Sequence, residues 1–373
     1  MSDPGGVRPS RTARSDEVQK RWRTQGVIAG VVVAAILLAI VVTRSGGDGG
    51  EQASPTPSAT GGGAVAAGPA QLLALSVTGA PNALLATVGT GGGLPSAAVV
   101  LPPEMTVVMP GAGEVTTEQL QDLPGDSMRV GVSNADGAWN GHYAVIDLQR
   151  FGAIVDRLGG LSVDLQDVYS VGSTVLGPGQ TQLTGQQTVA LLHENADDTA
   201  ARWASVLSSF LAAQPSLSPT DLADTDDAQA AAAILQSGPA RVEMAPTQVV
   251  GGSVLIAAQP SFDDLMAELF ATPAPMRVEV LNGNGEPGVG ESVGAQLIPA
   301  GFRVVLSENA DTFDHQTTEI VAAGPDSEPA AQQARKALGV GKVIVSEIAS
   351  GLADVTCCAT ITCAVASTAT WAL

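Results

Sequence analysis

Two neighbouring carboxylates and an arginine are the first residues in the chain whose types and spacing could do chemistry. Asp197 and Asp198 come shortly before Arg202 in the segment DDTAARW. Carboxylate oxygens are preferred Mg²⁺ ligands, so the three residues are candidates for catalysis, with Arg202 also a candidate for ligand binding. Alternatively, the two aspartates form a solvated cap at the start of a helix. The sequence predicts no defined metal site here.

A glycine-rich loop is the second candidate. Gly283, Gly285 and Gly288 fit the pattern GxGxxG after a predicted strand and before a predicted helix, and Glu308 follows about 20 residues later. The pattern alone is typical of a dinucleotide site. The alternative is a tight turn with close strand–helix packing, whose helix N-terminus accepts a small anion or a glycan carboxylate.

One uninterrupted apolar segment determines the predicted membrane topology of the chain. Residues 27–43 contain VIAGVVVAAILLAIVV, which approaches the roughly 20 residues of a membrane-spanning helix. A signal peptide and a buried core helix are the alternatives, but the residues after the segment make a poor signal-peptide cleavage site. Residues 1–26 carry six basic side chains, which predicts a cytoplasmic N-terminus and a single-pass anchor at the cytoplasmic membrane.

The remainder of the chain is therefore expected to be extracytoplasmic, and its charge limits its partners. Residues 45–373 contain ten basic and 34 acidic side chains. Such a surface repels nucleic acid, so we expect no nucleic-acid partner. Cys357, Cys358 and Cys363 are the three cysteines of the chain, and they offer neither a disulfide framework nor a convincing zinc site.

Composition divides the exterior part into segments. A Gly/Pro/Ser-rich tether is predicted over 44–71, followed by an α/β domain over 72–272, a small α/β domain over 276–356 and an atypical tail over 357–373. The tail has no charge, and a degraded final strand is one interpretation of it. A pair of helices is predicted within the first domain from Thr184 to Ala213, and a second helical hairpin-like region from Thr220 to Gln236.

The clearest pattern in the first domain is HYAVIDLQRFGAIVDRLGGLSVDL, within 141–165. It predicts a strand, a helix starting near Asp147 with an apolar face, and a second strand. The length suits a βαβ unit and favours a sheet packed against helices. A capping-box pattern at Thr184 and Gln187 predicts another helix start.

This pattern, with LTGQQTVALLH, resembles the LytR-CpsA-Psr (LCP) family of envelope proteins. The resemblance implies an α/β sandwich that holds a polyprenyl-pyrophosphate lipid and transfers glycopolymer to peptidoglycan with Mg²⁺. MRVEVLNGNGEPGVGESVGAQLIPAGFRVV, from Met276, resembles the LytR C-terminal domain, which has no established catalytic residues. The fold expected is a membrane-anchored, LCP-like α/β sandwich domain followed by a small α/β LytR C-terminal domain.

The sequence departs from the LCP pattern where phosphate chemistry needs charge. Pro103 and Glu104 stand where the family has an arginine and an aspartate, and His193 and Glu194 replace two further arginines. Only Arg202 retains a family position. Neutralising a pyrophosphate takes clustered arginines and a metal.

The sequence thus favours a degenerate, non-catalytic relative that binds or scaffolds cell-wall glycopolymer, polyprenyl lipid or envelope proteins, without a cofactor. The alternative is an active phosphotransferase that uses Mg²⁺ to move polyprenyl-pyrophosphate-linked glycopolymer to peptidoglycan. A third possibility, transcriptional regulation, conflicts with the predicted topology.

Overall fold

The computed structural model describes residues 70–79, 83–171, 174–194, 198–346 and 352–360. The predicted cytoplasmic tail, membrane segment and nearly all of the tether lie outside these residues. Within the ranges given, no helix combines the length and the apolar character needed to cross a bilayer.

The first domain is a mixed α/β fold. Its strands are β1 Gln71–Thr78, β2 Leu84–Gly91, β3 Leu94–Leu101, β4 Met105–Met109, β5 Gly113–Thr116, β6 His142–Asp147, β7 Leu161–Leu165, β8 Tyr169–Val171, β9 Thr174–Leu176, β10 Gly179–Leu183, β11 Asp224–Thr225, β12 Arg241–Met244, β13 Thr247–Val250 and β14 Val254–Ala257. Its α-helices are α1 Thr117–Leu120, α2 Gly125–Asp136, α3 Leu148–Arg157, α4 Gly185–His193, α5 Thr199–Ala212, α6 Ala228–Leu235 and α7 Ser261–Phe270.

Six strands form the central sheet of this domain, in the order β11-β6-β1-β2-β3-β12. β1 pairs parallel with β6 and antiparallel with β2, and β3 pairs parallel with β12. Alternate residues of β1 enter two different apolar clusters: Leu73, Leu75 and Val77 belong to one, Leu72 and Ala74 to the other. Because side chains alternate along a strand, the sheet has a core on each face.

Helices cover both faces of the sheet. Phe151 of α3 packs edge-on against Trp203 of α5, with ring centroids 5.9 Å apart, in the first cluster. Leu120 of α1, Met128 of α2 and Phe270 of α7 belong to the second. This three-layer arrangement agrees with the α/β sandwich expected from the sequence.

Two helix starts were predicted correctly from capping residues. Asp147 caps α3, since its carboxylate accepts from the backbone N–H groups of Gln149 and Arg150. Thr184 and Gln187 form a reciprocal capping box at the start of α4. Caps of this kind satisfy backbone donors that the helix itself leaves unpaired.

Two predicted local arrangements were wrong. β7 pairs antiparallel with β10, in a two-stranded sheet separate from β6, so 141–165 is not a βαβ unit within one sheet. The helical region expected from Thr220 to Gln236 contains β11 and only one α-helix, α6, capped by Asp227. Of the aspartates before this cap, Asp221 ends a 3₁₀ turn and Asp224 begins β11. β11 pairs with β6 at the edge of the central sheet.

The second domain is a five-stranded sheet with two helices. Its elements are β15 Met276–Asn282, α8 Val289–Leu297, β16 Phe302–Asn309, β17 Glu319–Ala322, α9 Glu328–Leu338, β18 Lys342–Val345 and β19 Val355–Ala359. The strand order is β16-β15-β19-β17-β18. β15 is parallel to both of its neighbours, while β17 runs antiparallel to β19.

The strand β19 includes the first residues of the expected tail. Cys357 and Cys358 lie in this strand, between β15 and β17, and both are buried free thiols. The short run VTCCA is buried along most of its length. A strand buried in this way needs no alternation of polar and apolar residues, which is why the sequence indicated a final strand only as one interpretation of the tail. Cys363 lies outside the described residues.

The two domains meet at a glycine face of α8. Side chains at Gly290 and Gly294 would collide with the turn at Pro110 and Gly111, which joins β4 to β5. A Cβ atom on Gly294 would lie 2.4 Å from the Cβ of Pro110. The backbone N–H of Gly111 donates to Ser307 Oγ of β16 at 2.8 Å. Small residues therefore allow the turn to lie directly against the helix.

Candidate functional site

Arg202 is the candidate residue with the most defined surroundings. It lies on α5, is 5% exposed, and directs its guanidinium at the carboxylate of Asp198: Nε and Nη2 donate to Oδ1 at 2.9 and 2.6 Å. Its Nη1 donates to the carbonyl oxygens of Leu191 at 3.0 Å and Glu194 at 3.4 Å. The guanidinium also lies 4.8 Å from the ring centroid of Tyr169. Arg202 thus ties the start of α5 to the end of α4.

The second oxygen of Asp198 is engaged as well. Tyr169, on β8, donates its hydroxyl to Asp198 Oδ2 at 2.6 Å. The hydrogen bonds from Arg202 hold the pKa of the Asp198 carboxyl below its usual value. Burial, with the nearby Asp198 carboxylate, raises the pKa of Tyr169 to about 12. The three side chains form a charged, hydrogen-bonded group, hereafter the Arg202 cluster.

This geometry does not fit a magnesium site at Asp198. A Mg²⁺ ion needs carboxylate oxygens turned toward it, and both oxygens of Asp198 already accept hydrogen bonds. Asp197 lies outside the described residues. Within the ranges that are described, no group of three or more His, Cys, Asp or Glu side chains is arranged to hold a metal ion.

Three of the other four arginines of the first domain also face carboxylates. Arg157 contacts Asp221 at 2.8 Å, and Arg129 contacts both Asp126 and Asp226. Arg241 contacts two glutamates, while Arg150 is exposed on α3. Four of the five guanidinium groups are therefore neutralised by the chain itself.

Backbone carbonyls of the segments that replace the family motifs hold neighbouring elements in place. The carbonyl oxygen of Pro103 accepts from the backbone N–H of Glu118 at 3.0 Å, which ties this turn to the start of α1. Glu104, His193 and Glu194 are exposed. The backbone carbonyl of Glu194 accepts a hydrogen bond from the guanidinium of Arg202.

A cleft of about 170 Å³ opens at the end of β1. Its charged lining residues are Glu118 and Asp122, one helical turn apart in sequence, and no basic side chain lines it. The remaining lining residues are Thr78, Gly79, Ala83 and Gln121. Two carboxylates disfavour an anionic ligand such as a pyrophosphate at this point.

The glycine-rich loop lies in the second domain, away from the Arg202 cluster in sequence. Asn282 accepts from the backbone N–H of Gly285 at 2.9 Å and donates to the carbonyl of Glu286. Gly283 donates to the carbonyl of Ala359 at 2.8 Å. Gly285 and Gly288 have φ values of +72° and +83°, which favour glycine. Several amides that a nucleotide phosphate would need are thus used within the protein.

The structure therefore joins some of the predicted residues and separates others. It brings Arg202 to Asp198 and gathers the three glycines in one loop, but it places these two groups in different domains. Tyr169 was missed, because nothing in the local sequence of β8 indicates that it reaches α5.

The comparison with family models supports the second resemblance. Residues 276–360 match the family described as "LytR cell envelope-related transcriptional attenuator". Residues 276–360 form a LytR C-terminal domain. The match includes β19 and extends four residues beyond the predicted end at 356. An LCP-like α/β domain thus precedes a LytR C-terminal α/β domain. No match was found among curated proteins.

Solved structures of LCP proteins are similar to the chain at low identity. TagV of B. subtilis is 12% identical, with a TM-score of 0.46, and the match covers 55% of this chain and 99% of TagV. A LytR-Csp2A-Psr enzyme from Actinomyces oris is 19% identical, with a TM-score of 0.42, over 54% of this chain and 90% of that one. TagT bound to LI-WTA is 15% identical, with a TM-score of 0.46, over 56% and 92%. These distant similarities assign no ligand or activity to this chain.

Proposed function

We propose that this chain is a membrane-anchored envelope protein that binds or scaffolds cell-wall glycopolymer without transferring it. The LytR C-terminal domain and the LCP-like pattern within 141–165 support an envelope role. The apolar segment over 27–43 and the basic residues before it support a single-pass anchor with the two α/β domains outside.

The observation that carries the non-catalytic assignment is the pairing of the arginines. A phosphoryl-transfer site must present uncompensated positive charge to the phosphate oxygens. In the LCP-like domain Arg129, Arg157, Arg202 and Arg241 each lie within 3.0 Å of a carboxylate oxygen. Breaking such a pair to bind a phosphate leaves a carboxylate unpaired next to the ligand.

The alternative function, an active phosphotransferase, draws support from one feature. Arg202 occupies the position that the family pattern reserves for an arginine, and Asp198 is its partner. For Arg202 to act on a phosphate, the Arg202 cluster must open. The two functions therefore differ in whether a polyprenyl pyrophosphate binds.

Thermal unfolding of the full chain in detergent distinguishes the two functions. We expect no change in Tm when a polyprenyl pyrophosphate is added with Mg²⁺. We also expect the chain to sediment with purified peptidoglycan sacculi in a saturable way. A saturable, Mg²⁺-dependent rise in Tm would contradict the proposal and favour the transferase, because a ligand that binds the folded state stabilises it. The Arg202→Lys chain serves as control, since any such rise should depend on this residue.

The proposed topology has its own test. Protease added outside intact cells should digest the chain after residue 44 and leave a tag on residues 1–26 protected. Digestion of that tag in intact cells would contradict the predicted orientation.

A further inference from the structure

The carboxyl end of β15 is the place in the second domain where a ligand site is expected on general grounds. β15 is parallel to β16 on one side and β19 on the other, and its own connection through α8 leads to β16. In open α/β sheets, ligands bind beyond the carboxyl ends of parallel strands where connections diverge to opposite sides. The loops that meet here are residues 282–288 after β15 and 310–317 after β16.

Hydrogen bonds fix these loops against one another. The N–H of Ala310 donates to the carbonyl of Asn282 at 3.0 Å, and that of His315 donates to Gly283 at 3.3 Å. Asn284 accepts from the N–H of Glu286 at 3.0 Å. The surface is therefore organised before any ligand arrives, which lowers the entropic cost of binding.

An aromatic ring lies on this organised surface. Phe313 is 54% exposed, although a phenylalanine normally buries most of its area. A Cβ atom on Gly285 would lie 3.1 to 3.3 Å from three carbons of the Phe313 ring. Glycine at 285 thus lets the ring rest against the backbone of the glycine-rich loop, while more than half of its surface remains open to solvent.

The charge around Phe313 limits the class of ligand. Residues 282–288 and 309–317 contain no lysine or arginine, and they include Glu286, Asp311 and Asp314. Burial, together with the charges of Glu279 and Asp311, raises the pKa of Glu308 at the end of β16. The local potential is therefore negative, which disfavours nucleotides and phosphate-containing polymers.

We propose that Phe313, with Asn284 and Asp311 in the same two loops, forms a binding surface for an uncharged glycan strand. The negative face of the aromatic ring attracts the polarised C–H bonds of a pyranose, and the amide and carboxylate oxygens accept from its hydroxyl groups. The inference rests on the proposed wall-binding function and names the ligand class and the domain that recognises it.

Co-sedimentation of the full chain with peptidoglycan sacculi tests this surface. Sacculi stripped of phosphate-containing polymers by acid are compared with untreated sacculi. Phe313→Ala and Phe313→Leu should each weaken binding to stripped sacculi about tenfold, because an anchoring aromatic carries much of a binding energy. Phe313→Trp should retain it. Val340→Ala, an exposed apolar residue of the same domain, is the matched control and should bind as wild type.

The outcomes separate the inference from the proposed function. Equal binding by wild type and both Phe313 variants would overturn the glycan surface and leave the wall-binding function intact. Binding only to untreated sacculi would also overturn it, since the ligand would then be the phosphate polymer. No binding of the wild-type chain to either preparation would overturn the proposed function as well. Unchanged Tm values of the variants establish that the loss is one of binding.

Discussion

The side-chain amide of Asn134 engages both backbone polar groups of Val304. Nδ2 donates to the Val304 carbonyl at 2.9 Å, and Oδ1 accepts from its N–H at 2.7 Å. The same Nδ2 also donates to the carbonyl of Val108 at 2.8 Å. Because Val304 lies on β16, an outer strand of its sheet, the amide of Asn134 takes the place of a neighbouring strand and links the two domains through α2.

Replacing Asn134 with leucine should destabilise both domains together. Asn134 is 2% exposed, so its removal leaves buried N–H and C=O groups of β4 and β16 without partners. We expect the free energy of unfolding to fall by about 2–4 kcal/mol. Chemical denaturation of the full chain measures this change. Asn309→Leu, at an exposed position on β16, is the control. Equal effects of the two substitutions would contradict the role of the amide.

A methyl group on Gly294 should separate the glycine face of α8 from the β4–β5 turn. Gly294→Ala would normally stabilise a helix by about 1 kcal/mol. Here its Cβ would lie 2.4 Å from Pro110, and we expect a net loss of about 1–3 kcal/mol in thermal unfolding. The double variant with Pro110→Gly should recover part of the loss. A simple stabilisation by Gly294→Ala would show that the contact is loose.

Substitution of Arg202 should lower the free energy of unfolding even when no ligand is present. Lysine cannot reproduce the fork that holds Asp198, nor reach both carbonyl oxygens at the end of α4. We expect Arg202→Lys to lower the free energy of unfolding by about 2–4 kcal/mol. Arg150→Lys, at an exposed site on α3, is the control and should have no measurable effect. A fully stable Arg202→Lys chain would argue for a ligand-binding role.

The buried carboxyl of Asp136 should make stability depend on pH. Burial raises its pKa from 3.8 to about 6, against the effects of hydrogen bonds from Thr87 and Asn140 and of the charge of Arg303. Between these two pH values the folded chain holds a proton that the unfolded chain has released. The free energy of unfolding therefore falls as pH rises through this window and stays lower above pH 6.

Asp136→Asn should remove this dependence. We expect the variant to be more stable than wild type at pH 7 by up to about 3 kcal/mol. Asp136 Oδ1 lacks a hydrogen-bond partner among the described residues, so the burial of an ionised carboxylate at position 136 is not fully compensated. Urea denaturation from pH 4 to 8 provides the measurement, with the exposed Asp122→Asn as control. Lower stability of Asp136→Asn at pH 7 would contradict the assignment.

Much of the fold could be predicted because its signals are local. The cap at Asp147, the capping box at Thr184 and the regular alternation of the second domain all depend on residues a few positions apart. The pairing of β7 with β10 depends instead on hydrogen bonds to a segment beyond β8 and β9. Periodicity identifies a strand but not its partner.

The candidate site could be predicted only in part for the same reason. The position of Arg202 followed from a pattern, but its environment includes Tyr169, 33 residues earlier in the sequence. Asn134 gave no signal, since an asparagine near the end of a helix usually indicates a local turn. Phe313 also stood alone in a polar loop, and only its contact with Gly285 distinguishes it from an incidental exposed residue.

The central position of β19 has a consequence for the order of synthesis. The strand β15 begins the LytR C-terminal domain and pairs with β19 through Val278 to Asn282. β19 lies between β15 and β17. Until residues 355–359 have been synthesised, the sheet remains divided into two parts. During synthesis, the exposed edge of β15 must therefore wait some 70 residues for its partner, and a protein that shields unpaired strands would act in that interval.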